Sequence, residues 1–223
     1  MLYDIVTGLF YILVMTGSFA ALDKFITKAG LAKPYYAVHT LHNAAIVAIT
    51  APDVRDSFLQ RPSPMNWSAV QLCYALHLYH TALYWRTFRY DDWLHHITMM
   101  VVALPLGCAL GTAGAAGIAG PLIGFSLFFT TGLPGGVSYA ALWAERNGWI
   151  GRAAEKNTNR LMNVWIRAPG CVAQAALTVA SVLSQPAIPQ WYVVIGCVDA
   201  AFVAWNGMYF MQQAVVASAL ADA

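Results

Sequence analysis

Charged residues are scarce in this chain. Only 10% of its 223 residues are Asp, Glu, Lys or Arg, whereas a soluble domain carries roughly 25%. Hydrophobic residues make up 59%, and the mean hydropathy is +0.56. This composition excludes an ordinary soluble domain and predicts a membrane protein. A basic stripe and nucleic-acid-binding motifs are also missing, so we expect no nucleic-acid partner.

Regularly spaced metal ligands are missing as well. The four cysteines, at positions 73, 108, 171 and 197, stand singly in apolar runs and form no CxxC pair. Free buried cysteine behaves as a small hydrophobic residue, so we expect these thiols to pack in the interior. The six histidines would allow a zinc site by number alone, but no HExxH motif accompanies them. We therefore predict no bound metal.

Apolar runs of about 20 residues recur along the sequence, and a helix needs that length to cross the hydrocarbon core of a bilayer. The runs lack the alternating pattern of barrel strands, and only helices or closed barrels satisfy the backbone inside lipid. We predict an all-α fold, a polytopic transmembrane helix bundle of about seven spans that forms one domain over residues 1–223. The expected spans are 3–22, 35–51, 67–88, 93–110, 118–143, 161–183 and 191–216.

Basic residues are distributed unequally between the two ends of these spans. Nine lie after spans one, three and five, at positions 24, 28, 33, 86, 89, 146, 152, 156 and 160. Only Arg55 and Arg61 lie in the connections of the opposite side. Because cytoplasmic loops carry an excess of Lys and Arg, we expect the N-terminus outside and the C-terminus on this basic side. The first run has no basic residues before it and is expected to be a retained span, not a signal peptide.

Paired histidines are the main chemical signal. The pairs are His39 with His42, His77 with His80, and His95 with His96. The first two pairs are spaced i, i+3, so each shares a helix face. His39 and His42 could serve either chemistry or packing. The side chains expected to support a polar site are Asp91, His77, His80, Arg86 and Arg89, of which the arginines could hold an anionic group such as a phosphate.

The stretch DDWLHH is the strongest candidate for the site itself. Asp92 lies three and four residues before His95 and His96, so its carboxylate can reach either ring from the preceding turn. A carboxylate that accepts a proton from one imidazole nitrogen leaves the other free as a base, nucleophile or ligand. Alternatively, Asp91 or Asp92 caps a helix start while the histidines face the lipid headgroups.

A second polar set falls deeper in the spans. Arg167 lies inside the sixth span, where a charge costs about 2.5–3.5 kcal/mol on insertion scales, so it should face the bundle and a partner. Asp199 is the only acidic residue deep in a span, and we predict an Arg167–Asp199 ion pair. Asn163 and Asn206 would extend this buried structural set on the same two spans.

Glycine and proline interrupt two of the runs. The Gly-rich stretch 107–124 predicts small-residue helix contacts at its ends and a tight turn in its middle. Pro134, flanked by three glycines, lacks a backbone N–H. The fifth span is therefore expected either to kink or break at Pro134, or to end early and continue as an interfacial segment.

An aspartate shortly before a His-His pair at a span start, then EKNTNRLMNVWIR, then WNGMYF, resembles the TLC family. This membrane domain is shared by ceramide synthases and several small lipid-related proteins, and the similarity extends from about the second span onward. The resemblance implies a multi-helix bundle with an internal polar site and, in most members, an endoplasmic reticulum location. An organelle inner membrane, mitochondrial or plastid, is the alternative.

In ceramide synthases the two adjacent histidines serve acyl transfer from acyl-CoA to a sphingoid amine, a role that the resemblance carries over to His95 and His96. The synthases also have an aspartate seven residues before the first histidine, where this chain has Phe88. The chain therefore resembles the small members of the family more than the synthases.

Two functions follow as hypotheses, both with membrane lipid as a partner. The first is binding or modification of an acyl lipid; an enzyme of this kind would be an acyltransferase using acyl-CoA, with His95 and His96 catalytic and Asp92 orienting one ring. The second is a non-catalytic accessory subunit of a larger membrane complex, favoured by the missing synthase aspartate. A transporter has less support because no paired inverted halves are visible.

The charge distribution makes a testable prediction about topology. Glycosylation acceptor tags placed at the two termini should be modified at the N-terminus only, because the positive-inside rule holds the C-terminus on the basic side. Gel mobility with and without glycosidase measures this. Modification of the C-terminal tag would contradict the predicted topology.

Overall fold

A computed structural model describes residues 2–113, 119–184 and 189–221. Within these ranges the chain forms seven helices and no strand, which confirms the predicted all-α fold. The helices are α1 (Leu2–Lys28), α2 (Pro34–Phe58), α3 (Trp67–Tyr84), α4 (residues 90–113), α5 (residues 119–146), α6 (Arg152–Leu183) and α7 (Gln190–Ala219). The tight turn expected in the Gly-rich stretch lies outside the described residues.

Four of the helices in the described part are long and apolar enough to cross a membrane. Their apolar segments are Val6–Lys28, Tyr90–Thr112, Arg152–Leu183 and Gln190–Ala219. Exposed apolar side chains such as Phe10, Val101 and Trp165 cover the outside of the bundle, as lipid contact requires. The protein is therefore a membrane-embedded helix bundle. By length and hydropathy, however, four helices qualify as spans and not the expected seven.

The bundle is arranged around α5. This helix packs along α2 on one side and α6 on the other, while α6 and α7 form a close antiparallel hairpin. Gly207 permits that close approach, because a Cβ there would lie 2.6 Å from the Cβ of Cys171. Helix α1 packs against α3, and α4 contacts both α5 and α7.

Helices α4, α5 and α6 each contain a wider, π-helical segment. The segments are His96–Ala103, Phe128–Gly132 and Asn163–Arg167. A proline follows each one two residues later: Pro105, Pro134 and Pro169. A proline cannot donate to the carbonyl four residues before it and collides with it, and in all three helices that carbonyl belongs to the π segment. The fifth helix therefore takes up a π turn before Pro134; it neither breaks nor ends early.

Candidate functional site

The six histidines, far apart in sequence, meet inside the bundle. They are carried by α2, α3 and the first turns of α4. Five of the rings form a continuous series, with centroid separations of 4.9 Å for His39–His80, 5.5 Å for His80–His96, 4.9 Å for His96–His77 and 5.8 Å for His77–His95. His42 is buried beside this series, 5.9 Å from the ring of Phe19. Among the described residues, no group of three or more His, Cys, Asp or Glu side chains is placed so that it could hold a metal ion.

A narrow cavity begins at this series and runs between α3 and α4 on one side and α5, α6 and α7 on the other. Its volume is about 60 Å³. His77 and His95 line one end, and Gln174 and Asp199 line the other. The wall between them is largely apolar and includes Met100, Leu104, Ile123 and Leu127.

The two polar ends of the cavity lie far apart along α4. The Oδ1 atom of Asp199 is 3.7 Å from the position that a Cβ on Gly107 would take, so Asp199 lies at the level of Gly107. Gly107 follows His95 by 12 residues, which at 1.5 Å per residue is about 18 Å. The cavity is thus an elongated slot with largely apolar walls and a polar group at each end.

Backbone carbonyls fix the orientation of two of the rings. The Nδ1 of His77 donates to the carbonyl of Cys73 at 2.8 Å, and the Nδ1 of His39 donates to the carbonyl of Tyr35 at 2.7 Å. A carbonyl can only accept, so the proton is on Nδ1 and the lone pair of Nε2 is free. His77, which lines the cavity, therefore has an unprotonated Nε2, and a backbone carbonyl orients its ring in place of a carboxylate.

His95 and His96 have different surroundings. His95 lines the cavity and packs edge-on against Phe210 at 5.7 Å, while its buried Nδ1 has no hydrogen-bond partner in the described part of the chain. His96 faces α3 instead, where its Nδ1 lies 3.2 Å from the hydroxyl of Thr81. The structure thus brings His77 and His95 to the cavity and leaves His80 and His96 behind its wall.

Asp92 does not orient either histidine, contrary to the sequence-based expectation. Its Oδ2 accepts the backbone N–H of Arg89 at 2.9 Å and thereby caps the start of α4. Asp91 accepts the hydroxyl of Tyr209 at 2.7 Å. Arg89 and Arg86 are exposed on the basic side, outside the cavity. Asp92 therefore caps a helix start, as the alternative interpretation expected, whereas the histidines face the interior and not the headgroups.

The expected Arg167–Asp199 ion pair is also absent from the described residues. Arg167 donates from Nη1 to the Oδ1 of Asn163 at 2.8 Å, and its guanidinium lies over the ring of Phe210 at 5.3 Å. Asp199 precedes Phe210 by 11 residues on α7, which places it about 16 Å away along the helix. At that height Asp199 lies beside Gln174. Asn163 and Asn206 are buried, as expected.

Several polar side chains that line the cavity were not predicted from the sequence. Gln174, Thr178 and Ser181 of α6 line its far end with Asp199, and their spacing of four and three residues is a signal that could have been found. Thr131 lines it from the π segment of α5. Asp23, which does not line the cavity, was also not predicted. It lies one residue beyond the predicted first span and accepts hydrogen bonds from the hydroxyls of both Tyr79 and Tyr84.

No family model, curated protein or solved structure matches this chain, so the resemblance to the TLC family stays a prediction.

The capping role of Asp92 can be tested by substitution. Asp92→Ala should lower the free energy of unfolding by about 0.5–2 kcal/mol, the usual cost of a lost helix cap. Asp92→Asn keeps an oxygen that can accept from Arg89 N–H and should cost less. Thermal unfolding in detergent measures both, and Asp91→Asn is the matched control. If Asp92→Asn instead removed a histidine-dependent activity, the carboxylate would have a role beyond capping.

Proposed function

We propose that the protein binds a single acyl chain in the internal cavity and presents the polar end of that chain to His77 and His95. The observation that carries this proposal is the slot itself, about 18 Å long between its polar ends and walled by Met100, Leu104 and Ile123. A water-filled channel would need polar walls, whereas these walls favour hydrocarbon.

All seven helices cross the membrane in this proposal. Helix α3 has 18 residues and is about 27 Å long, close to the thickness of the hydrocarbon core. Trp67 and Trp85 at its two ends are exposed, as is typical of residues at membrane interfaces. Helix α2 is less apolar on average, but His42, Asn43 and Thr50 are turned inward, where the bundle shields them from lipid.

The TLC resemblance suggests an acyltransferase acting on a lipid amine, with acyl-CoA as co-substrate. His77 would accept the proton of the amine as its nitrogen forms the amide bond with the acyl carbon. The CoA thiolate would leave and take up a proton from the same imidazole. Arg86 and Arg89, exposed on the basic side, would meet the phosphates of CoA. An endoplasmic reticulum location belongs to the same proposal, with an organelle inner membrane as its alternative.

A non-catalytic accessory subunit of a larger membrane complex is the second candidate. The observation that favours it is the capping role of Asp92, which leaves the histidines without an acidic partner. As a subunit, the protein would hold the acyl chain in the cavity as a structural lipid.

Filling the cavity should abolish acyl binding. A Cβ on Gly107 would lie 2.8 Å from Cδ1 of Ile123, the end of a flexible side chain, so Gly107→Leu should fold and occupy the slot. Gly17→Leu is the matched control, because nothing lies within 4 Å of a Cβ at that exposed position. A photoreactive fatty-acyl probe should label wild type and Gly17→Leu but not Gly107→Leu. Equal labelling of the three proteins would refute the proposed cavity.

The two candidate functions differ in their response to His77→Ala and His95→Ala. For an acyltransferase, acyl-CoA consumption with a long-chain amine should fall by about 100-fold or more, the contribution of general acid–base catalysis, while probe labelling persists. For a subunit, wild type consumes no acyl-CoA, and the same substitutions reduce recovery of the complex on native gels. Consumption unchanged in both variants would exclude these histidines as the catalytic bases.

A further inference from the structure

Arg167 carries a charge deep in the bundle with no opposite charge beside it. No carboxylate of the described residues lies within ion-pairing distance of its guanidinium. Nη1 donates to Asn163, whereas Nε is buried and has no partner in the same ranges. Nε and Nη2 form one edge of the guanidinium, the edge that can bind both oxygens of a carboxylate.

The side chains around this edge are donors or neutral groups. Asn43 is fully buried, and its Oδ1 is already occupied by the Nδ1 of His42 at 2.8 Å and the hydroxyl of Thr131 at 3.1 Å. Its Nδ2 remains without a partner within the described chain. A Cβ on Gly135 would lie 2.8 Å from this Nδ2 and 3.8 Å from the Nη2 of Arg167, so both donors lie close together beside Gly135.

His95 lies near Arg167 and also lines the cavity. Its ring and the Arg167 guanidinium both lie against Phe210, at 5.7 and 5.3 Å, and its unpartnered Nδ1 is buried. His95 and Thr131 also line the cavity. An anion held by Arg167 and Asn43 would therefore lie at the histidine end of the slot, where an acyl chain would begin.

We propose that Arg167 and Asn43 form a binding site for the carboxylate of a long-chain fatty acid, whose hydrocarbon tail lies in the cavity. This rests on the proposed function, because the tail occupies the same slot. The carboxylate supplies the counter-charge that the described part of the chain does not provide, and the planar guanidinium edge together with the Asn43 amide matches its two oxygens. A buried charge paired in this way avoids the penalty of an isolated ion in lipid.

The test compares a radiolabelled fatty acid with its methyl ester, which has the same tail and no charge. Wild-type protein in nanodiscs should bind the acid about 10-fold or more tightly than the ester, as a charge-assisted pair predicts. Arg167→Met removes the charge and should abolish this preference while ester binding persists. Asn43→Asp is nearly isosteric, keeps acceptors for His42 and Thr131, and places an internal carboxylate beside Arg167; it should also lose the preference.

Thermal unfolding without ligand provides an independent readout. Arg167→Met should be at least as stable as wild type, because it removes an unpaired buried charge, and Asn43→Asp should also be at least as stable because it supplies a counter-charge. A large loss of stability in Arg167→Met, with no gain from Asn43→Asp, would show that Arg167 is a structural residue and overturn the site.

The binding outcomes separate the two proposals. If wild type binds acid and ester equally, the carboxylate site is wrong while acyl binding in the cavity stands. If it binds neither, the proposed function fails. If an alkyl phosphate of equal chain length displaces the acid at lower concentration than the acid itself, the site recognises a phosphate head and the carboxylate assignment is overturned.

Discussion

Three missing backbone hydrogen bonds determine where the polar interior of this bundle forms. Pro105, Pro134 and Pro169 cannot donate to the carbonyls four residues before them, and inside lipid the backbone must remain satisfied by other means. Each helix widens into a π segment at that point. His96, Thr131 and Arg167 lie in these segments, and of the three Thr131 lines the cavity.

The helices were predictable from the sequence because long apolar runs in a membrane can form few structures other than helices. All seven runs lie mainly within one helix each, and the kink expected at Pro134 corresponds to the π segment before it. The same reasoning applied to Pro105 and Pro169 would have identified the other two π segments. It was harder to predict which helices cross the membrane. The mean hydropathy of a helix combines the residues that face lipid with the residues that face the interior, and the latter can be polar.

Pairing inside the bundle was not predictable, because it depends on the relative heights of side chains on antiparallel helices. Arg167 and Asp199 are the obvious ionic pair by composition, yet their places on α6 and α7 differ by about three turns of helix. The prediction that Asp92 orients a histidine failed for a different reason. A carboxylate three residues into a helix can reach back to the first free N–H as easily as forward to a histidine, and at a helix start the backbone donor lies nearer.

The position of Phe88 bears on the chemistry available to the histidines. In the synthases that the sequence resembles, an aspartate lies there; in this chain the Phe88 ring lies 4.8 Å from the rings of both His80 and His96. An aromatic ring cannot accept the imidazole proton as a carboxylate does, so His96 loses the partner that would make it a strong base. His77, whose Nδ1 is held by a backbone carbonyl, keeps a free Nε2 and lines the cavity. In the proposed acyltransferase, proton transfer would therefore fall to His77 and His95, whereas the family resemblance indicates His95 and His96.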